Sequence, residues 1–415
     1  MAAPMFVRRV KWRFFFTLAK ILVGKKATAP HFAFAGPGST HLLCRRIVES
    51  GHQRVLVVTD GPLRTLGVSE RAVASLKDAG IDIFWYDGVK PDPTFDQVYE
   101  GAQLLREYRC SAVLAVGGGS SIDAAKAIAA CFDASADPKS WIGFNKGPDE
   151  ALPIYAIPTT AGTGSEATMG AVITDAADHS KNVIAGEPFL PTAVALDAEL
   201  MLGLPPAVTA ATGLDALTHG IEAYIGVWER GTRRETALIA IKGVFNWLPR
   251  AIKTPDDPEV RMGMSLAAYY GGVAINQVSV GNVHAIAHQL GALYGIPHGE
   301  ANALVLPHLL RRYGAAAETA LAELADALDL PGTGSSADRA ATLIEAIETL
   351  SAESGLSPTH PAIQRSDFGR ITDMAITEGD GYFSPKLLTE EDVQVVLAAI
   401  SQPQSAVQAT RLPAL

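Results

Sequence analysis

The sequence predicts an α/β domain followed by an all-helical domain. The chain has 415 residues, which is longer than a domain with a single hydrophobic core usually is. Residues 30–200 alternate short β-rich runs with amphipathic segments, and residues 201–415 show helical periodicity without clear strands. Such alternation is typical of βαβ units around a mostly parallel sheet, and it places the domain boundary near residues 198–205.

The strands predicted for the first domain are short and apolar. A run such as "VLVV" (55–58) is apolar on both faces, as expected of a buried parallel strand. The strand candidates are residues 31–34, 54–60, 82–89, 112–119, 152–160, 171–175 and 192–197. The helical segments between them include residues 41–51, 69–80 and 95–109.

The second domain carries apolar residues at helical spacing. The first of its helices starts in "LPPAVTAATGLDALTHGIEAYIG" (204–226). Further helices are predicted over residues 233–254, 258–278, 283–293, 299–313, 315–328, 338–354 and 389–401.

The composition is that of a soluble globular protein, with 48% hydrophobic and 19% charged residues. A net charge of −10 argues against nucleic acid as a partner. The three cysteines, Cys44, Cys110 and Cys131, fit neither a disulfide framework nor a zinc knuckle. We therefore expect a cytoplasmic protein.

Residues 1–29 differ from the rest of the chain, because they contain seven basic residues and no acid. Apolar residues recur there at helical spacing, at Val7, Val10, Phe14, Leu18 and Ile21. Lys20 interrupts the run too early for a membrane span or a signal peptide. Two interpretations remain open: a helix lying on an anionic membrane surface through residues 5–26, or a basic helix packed on the protein's own body or on a sister subunit.

A glycine-rich turn joins a buried strand to a helix in "AVLAVGGGSSIDAAKAIAA" (112–130). Gly117, Gly118 and Gly119 allow the backbone to approach a ligand closely, and the helix start offers free N–H groups to a pyrophosphate. Because Ile122 occupies the place of the third glycine of G-x-G-x-x-G, a tight turn without a ligand is the alternative.

A second loop, "IPTTAGTGSEAT" (157–168), also follows a strand and is dense in hydroxyl groups. Two such loops at the carboxyl ends of parallel strands predict a nucleotide between them. Asp60 ends the strand "VLVVTD", where a carboxylate would bind a ribose hydroxyl and repel a 2′-phosphate. This favours NAD over NADP, although Asp60 is also a suitable turn residue.

Histidines and one aspartate predict a metal site in the helical domain. Asp215 and His219 are spaced i, i+4 in "GLDALTHGIEAY", and so are His284 and His288 in "HAIAHQLGALYGIPH". His298 follows a Gly-Pro break and starts another element. One carboxylate with two or three imidazoles suits Zn²⁺ or Fe²⁺ with an open position for substrate. Spacing alone leaves open whether His288 is a ligand.

These motifs resemble those of the iron-containing (group III) alcohol dehydrogenases. The resemblance is carried in order by "GGGSSIDAAKA", "PTTAGTGSE", "GLDALTHGIEAY" and "HAIAHQLGALYGIPHGEANALVLPH", within residues 30–400. It implies a Rossmann-like dinucleotide-binding domain, then a helical metal-binding domain of dehydroquinate synthase-like architecture, with the active site between them.

The resemblance also implies roles for individual residues. The metal ligands would be Asp215, His219, His284 and His298, and His288 would face the nicotinamide without binding metal. All five are expected to be catalytic. Together with the residues singled out above, the expected cofactor contacts are Asp60, Gly118, Gly119, Ser120, Asp123, Thr159, Thr160, Thr163, Ser165 and Lys181.

The implied reaction is the reversible oxidation of a small alcohol to an aldehyde or ketone. Fe²⁺ is the expected metal, with Zn²⁺ as the alternative, and the enzyme is expected to be a homodimer. The metal would lower the pKa of the alcohol hydroxyl, and a hydride would pass to the nicotinamide of NAD.

Other functions on the same fold remain open: a maleylacetate reductase, a 1,3-propanediol dehydrogenase or a hydroxyacid-oxoacid transhydrogenase. A cyclase related to dehydroquinate synthase is disfavoured, because the motif regions hold almost no Lys or Arg for phosphate or carboxylate groups. A non-catalytic, membrane-recruited binding protein is disfavoured by the intact ligand set.

The sequence departs from the family pattern in two places. The family usually has Asn-Pro-Arg where this chain reads "YFSPKLLTEEDV" (382–393), and that stretch lines the substrate pocket in relatives. The basic extension of residues 1–29 is not a common family feature either. The sequence therefore does not predict which alcohol is the substrate.

Overall fold

The computed structural model describes residues 4–23, 32–177, 180–228 and 232–402. Its N-terminal part contains nine strands. These are β1 Phe32–Ala35, β2 Arg54–Asp60, β3 Asp82–Val89, β4 Ala112–Gly117, β5 Gly143–Phe144, β6 Ile154–Pro158, β7 Gly170–Thr174, β8 Lys181–Ala185 and β9 Ala193–Leu196.

Six strands form one parallel sheet in the order β1-β9-β6-β4-β2-β3. The central strands β4, β6 and β9 are buried along their whole length, which explains why their residues are apolar on both faces. The chain runs outward from β2 to β3 and then returns to the other side of β2 as β4. In such sheets, a ligand crevice opens beyond the carboxyl ends of the strands at this reversal.

The remaining three strands form a separate small sheet in the order β5-β8-β7. β7 and β8 are an antiparallel pair, so the predicted strand 171–175 is not part of the parallel sheet. β8 was not predicted, since its sequence "KNVIA" starts with two polar residues and shows no clear alternation.

Six α-helices accompany the strands in the described residues of the N-terminal part. They are α2 Ser39–Glu49, α3 Gly61–Thr65, α4 Val68–Ala72, α5 Ala74–Asp78, α6 Phe95–Glu107 and α7 Gly119–Ala130. The single helix predicted over 69–80 is divided into α4 and α5, because the backbone of Val73 leaves the helical conformation between them.

In the C-terminal part the regular secondary structure of the described residues is helical, apart from one isolated bridge. Its helices are α8 Pro206–Ile225, α9 Thr232–Lys253, α10 Pro258–Val278, α11 Asn282–Tyr294, α12 His298–Tyr313, α13 Glu318–Ala327, α14 Ser336–Glu353, α15 Phe368–Gly379 and α16 Glu390–Ile400. Local signals mark several ends: Asp257 caps α10, Gly295 ends α11 in the left-handed conformation, and Thr389 opens α16 with a capping box. α15 was not predicted.

The predicted fold class, α/β followed by all-α, is confirmed. The position at which one domain ends and the other begins stays a prediction.

The basic N-terminal stretch forms α1 Met5–Val23, which lies against the C-terminal part. Arg8 is buried on that body, whereas Phe6, Val10 and Phe14 are exposed. The face of α1 that carries Arg8 packs on the protein's own body, as one of the two interpretations expects. The apolar stripe lies on a different face of the helix, which is exposed. The side chains of Leu18, Lys20 and Ile21 lie outside the described residues.

The second glycine-rich loop packs directly on the helical part. Gly164 has a φ of +59°, and a Cβ there would lie 2.6 Å from the carbonyl oxygen of Ala268 and the Cα of Gly272 in α10. Because two backbones approach each other at this point, only glycine fits.

We predict that Gly164→Ala lowers the free energy of unfolding by about 2–4 kcal/mol, through left-handed strain and overpacking together. Gly67→Ala is the matched control, because Gly67 has a φ of +70° but no atom within 4 Å of the added Cβ. That control should lose only about 1 kcal/mol. Denaturant unfolding measures both, and equal losses would show that the contact with α10 does not restrict residue 164.

Candidate metal and cofactor site

Four side chains from three helices converge in the helical part. Asp215 and His219 lie one turn apart on α8, His284 lies on α11, and His298 begins α12. One ligand atom of each lies within 4.8 Å of the other three. Asp215, His219 and His284 are buried, and the side chain of His298 is 27% exposed, which leaves the cluster open on one side.

The spacing of these atoms fits a divalent metal. The Nε2 atoms of His219 and His284 each lie 3.7 Å from Asp215 Oδ1, and that of His298 lies 3.4 Å from it. A tetrahedral site with bonds of about 2.1 Å separates its ligand atoms by about 3.4 Å. The residues present therefore fit Fe²⁺ or Zn²⁺.

The electrostatics of the cluster also call for a cation. Burial alone would raise the pKa of Asp215, but the imidazoles of His219, His298 and His284 outweigh burial and hold that pKa well below its ordinary value. Burial lowers the pKa of His219 to about 4 and that of His298 well below its ordinary value. His219 and His298 are thus neutral imidazoles whose ring nitrogens can coordinate a cation, beside a buried carboxylate that supplies a negative charge for it.

Glu222 orients the third imidazole. It lies on α8 beyond His219, and its Oε2 accepts a 2.6 Å hydrogen bond from His284 Nδ1. The same carboxylate accepts the backbone N–H groups of Gly281 and Val283 and so holds the start of α11. Burial alone would lower the pKa of His284, but Glu222 and Asp215 raise it to about 9. Glu222 leaves Nε2 as the nitrogen for the metal and makes the imidazole a stronger ligand.

Asn302, buried one turn after His298 on α12, holds the carboxylate. Its Nδ2 donates to Asp215 Oδ1 over 2.8 Å. The same Nδ2 lies 3.1 Å from His284 Nε2 and 3.3 Å from His298 Nε2, so the amide of Asn302 directly contacts three of the four ligand atoms.

His288 lies beside the cluster and has a different partner. Its ring stacks on that of His298, with centroids 5.3 Å apart, and meets the edge of the His284 ring. Its Nδ1 is 2.5 Å from Glu378 Oε1 at the end of α15. Tyr382 also donates to Glu378, over 2.7 Å. Burial alone would raise the pKa of Glu378, but His288 and these hydrogen bonds lower it.

The glycines at the carboxyl end of β4 leave room for the side chains of the neighbouring loop. A Cβ on Gly119 would lie 2.6 Å from Thr163 Oγ1, and one on Gly118 would lie 3.1 Å from Thr160 Oγ1. Gly118 starts α7 without a side-chain cap among the described residues, so the first N–H groups of the helix are available to a ligand. Together with the half-buried Ser120, these groups form a cradle that fits a pyrophosphate.

Two of the predicted cofactor residues hold the loops together. Asp123 accepts hydrogen bonds from Ser165 Oγ and, over 2.9 Å, from the backbone N–H of Val172. The fully buried Lys126 donates to Ser165 and Thr168 and lies 3.6 Å from Asp123. Thr159 is likewise buried. Their described contacts are with the protein, and direct contact with a cofactor stays a prediction for them.

Asp60 and Lys181 lie at the edges of the crevice. Asp60 caps α3 by accepting the N–H of Leu63 over 2.9 Å, so it is a turn residue as well as a candidate ribose ligand. Burial raises its pKa. Lys181 Nζ donates to Asp92 over 2.7 Å, and its charge contributes to the lowered pKa of His298. Lys181 thus begins β8 of the small sheet, and its charged group lies close enough to the metal cluster to act on His298.

Known proteins show the same organisation. The family model "Iron-containing alcohol dehydrogenase" matches residues 30–198, and the model "Fe-containing alcohol dehydrogenase family, C-terminal" matches residues 209–401. Alcohol dehydrogenase 4 of Schizosaccharomyces pombe is 35% identical over 370 residues, which cover 88% of this chain and 87% of that protein. The chain belongs to the iron-containing alcohol dehydrogenase family.

Other members of the iron-containing alcohol dehydrogenase family support this placement. The NAD-dependent methanol dehydrogenase of Bacillus methanolicus is 33% identical over 371 residues, 89% of this chain and 97% of that protein. A crystal structure of a 1,3-propanediol oxidoreductase has a TM-score of 0.85 at 34% identity, covering 89% of this chain and 97% of that one. The prediction of an enzyme of this family is confirmed; an NAD-dependent enzyme is among its relatives, and the Asp/His cluster could hold a metal.

Sequence reasoning did not single out Glu222, Asn302, Glu378 or Lys126. Glu222 had a signal, because it continues the helical face of Asp215 and His219 at i+7. Glu378 had none, since the segment that carries it was not predicted as a helix.

We predict that His284→Ala purifies without the bound metal, because it removes one of four ligands, whereas His288→Ala retains it. Elemental analysis of the purified proteins measures this. The two substitutions are matched, since both remove a buried imidazole from the same helix. Loss of metal from His288→Ala to the same extent would make His288 a ligand.

Proposed function

We propose that this chain catalyses the reversible oxidation of an uncharged alcohol by NAD at the site formed by Asp215, His219, His284 and His298. The observation that supports this most is the arrangement of the four ligand atoms beside the His288–Glu378 pair. The phosphate cradle is adjacent, because a Cβ on Gly162 of the second loop would lie 2.6 Å from Thr212 Cβ, one turn before Asp215 on α8.

In this proposal the protein positions groups around the reacting alcohol. When bound, the metal supplies Lewis-acid chemistry that eases deprotonation of the alcohol hydroxyl. His288 has Nδ1 held by Glu378, so Nε2 is the nitrogen that accepts or returns the hydroxyl proton. The stacking of the His288 ring on that of His298, the partly exposed member of the cluster, supports this role.

NAD is held by the N-terminal part. The N–H groups at the start of α7 would bind the pyrophosphate, and Asp60 would accept a hydrogen bond from the ribose. Lys181 is an expected cofactor contact and lies near His298. A cofactor bound at Lys181 would therefore have its nicotinamide half close to the metal cluster.

An uncharged alcohol or aldehyde fits the site better than a substrate with a carboxylate. Two lysines of segments that the family resemblance places at the site are paired, Lys181 with Asp92 and Lys386 with Asp392. The maleylacetate reductase and transhydrogenase alternatives use acids, which need a cation that is available for binding.

The cytoplasmic location and the homodimer expected from the sequence remain predictions. Among the described residues, none of the helices combines the length and the apolar character that crossing a membrane requires.

We further propose that α1 contacts an anionic membrane surface. Phe6, Val10 and Phe14 are 78%, 52% and 70% exposed and share one side of the helix, while Arg8 lies on the opposite side against the protein body. Arg9 and Lys11 are exposed beside the apolar stripe. An apolar stripe bordered by basic residues fits a surface of anionic headgroups. Residues 1–29 contain no acid although the whole chain has a net charge of −10, so this segment differs in charge from the rest of the protein.

We predict that the enzyme reduces NAD in preference to NADP across a series of alcohols from ethanol to hexadecanol. Asp60→Ser should raise kcat/KM for NADP at least about tenfold, because serine keeps the cap of α3 but removes the charge that repels a 2′-phosphate. Initial rates with each cofactor measure this. Activity with neither cofactor on any of these alcohols contradicts the proposed function.

We predict that the protein floats with vesicles that contain phosphatidylserine and floats less with neutral ones. Phe14→Ser should weaken the binding about tenfold or more, since burying one phenylalanine contributes about 1.5–3 kcal/mol. Phe144→Ser is the control, because Phe144 is 56% exposed on a different element. Equal binding by both variants argues against α1 as the contact, and a change in particle mass on Phe14→Ser would assign the stripe to a second copy of the chain.

A further inference from the structure

Arg8 ties α1 to the connection between α15 and α16, residues 380–389. Its Nε donates to Asp380 Oδ2 over 2.8 Å and its Nη2 to Asp380 Oδ1 over 2.6 Å. The same Nη2 donates to the carbonyl oxygen of Leu388 over 2.9 Å. Arg8 is only 6% exposed, although Arg9 beside it is exposed. A guanidinium that is buried and bound in this bidentate way restrains both ends of the connection.

Trp12, one turn later on α1, contacts the first half of the connection. Its Nε1 donates to the carbonyl oxygen of Tyr382 over 3.2 Å. Its ring packs in a small apolar cluster with Trp228, Val278 and Phe383. The backbone carbonyl of Phe383 in turn accepts a 2.8 Å hydrogen bond from Val227 N. The connection is therefore enclosed between α1 and the helices of the body.

The inner side of the same connection reaches the active site. Tyr382 Oη donates to Glu378 Oε1, the oxygen that also binds His288 Nδ1. The other oxygen, Oε2, accepts from Gln289 Nε2 over 2.7 Å. Ser384 Oγ accepts the N–H of Asn282 at the start of α11, the helix that carries His284 and His288.

We infer that α1 is a positioning element of the active site, in which Arg8 and Trp12 fix residues 380–389 and thereby hold Tyr382 and Glu378 on His288. The inference rests on the proposed function, because it needs His288 to act in proton transfer. It goes beyond the family, since both family models match only residues after 29.

The physical reason lies in the connection itself. Residues 380–389 have no regular secondary structure, so the position of Tyr382, which donates to Glu378 at the end of α15, depends on how this backbone is held. Arg8 supplies two charge-assisted bonds and one bond to a carbonyl from a single side chain. Loss of these bonds would leave Asp380 without its partner and would let Tyr382 and Glu378 move relative to His288.

The test compares Arg8→Ala, Arg8→Lys and the control Arg9→Ala in the full-length, metal-loaded enzyme. Arg8→Ala should lower kcat about tenfold with the KM for NAD changed less than about twofold, because the displaced group acts on proton transfer and not on cofactor binding. Arg8→Lys should recover part of kcat, since it keeps the ion pair without the bidentate geometry. Metal content should be unchanged in all three.

Two further measurements separate positioning from general stabilisation. Hydrogen exchange of peptides that cover residues 380–389 should become faster in Arg8→Ala and not in Arg9→Ala, with or without substrate. Glu378→Gln should lower kcat about 10- to 100-fold, and adding Arg8→Ala to it should cause little further loss, because both act through His288.

The inference is overturned if kcat of Arg8→Ala stays within about twofold of Arg9→Ala, or if its loss multiplies fully with that of Glu378→Gln. If Arg8→Ala does not fold, Arg8→Lys carries the same comparison. The proposed function fails separately, through an absence of NAD-linked alcohol oxidation in the unmodified enzyme. The exchange measurement does not depend on that activity.

Discussion

The buried carboxylate of Asp215 is the constraint around which the rest of the molecule is arranged. A charge at that depth is costly unless it is matched, and burial keeps the neighbouring imidazoles of His219 and His298 neutral. The three helices α8, α11 and α12 must therefore meet at one point and leave room for a cation. Glu222 and Asn302 follow from the same need, because each fixes one ligand in the rotation that points at the centre.

A second constraint is the close contact between the N-terminal sheet and these helices. The glycine-rich loops after β4 and β6 interlock through Gly119 and Thr163, and Gly164 then packs on the backbone of α10. The buried Lys126 joins the two loops through Ser165 and Thr168. As a result, the phosphate cradle and the metal cluster are built on one continuous set of contacts, which is what a transfer between a cofactor and a metal-held alcohol requires.

The sequence was sufficient where a residue's neighbours along the chain determine its environment. The buried strands, the long helices and the i, i+4 pairs were predicted for that reason. It was insufficient where a residue's role depends on a distant partner. Spacing alone left open whether His288 is a ligand like His284, and only the fold shows that His288 is held by Glu378, 90 residues away. The hairpin of β7 and β8 and the helix α15 were missed or misplaced because their local patterns are weak.

The N-terminal helix shows how one amphipathic pattern serves two faces. The periodicity of Val7, Val10 and Phe14 predicts an amphipathic helix and leaves open what it contacts, whereas Arg8 and Trp12, on the other side, hydrogen-bond to the body. A helix with an apolar inward face would pack on the body without specifying register, whereas the bidentate pair with Asp380 defines one position along and around the axis. The position of α1 in turn brings Trp12 Nε1 to the carbonyl oxygen of Tyr382. The apolar side chains therefore remain exposed to solvent. Binding of that exposed face to a surface would act on a helix whose inner face is linked, through Tyr382 and Glu378, to His288.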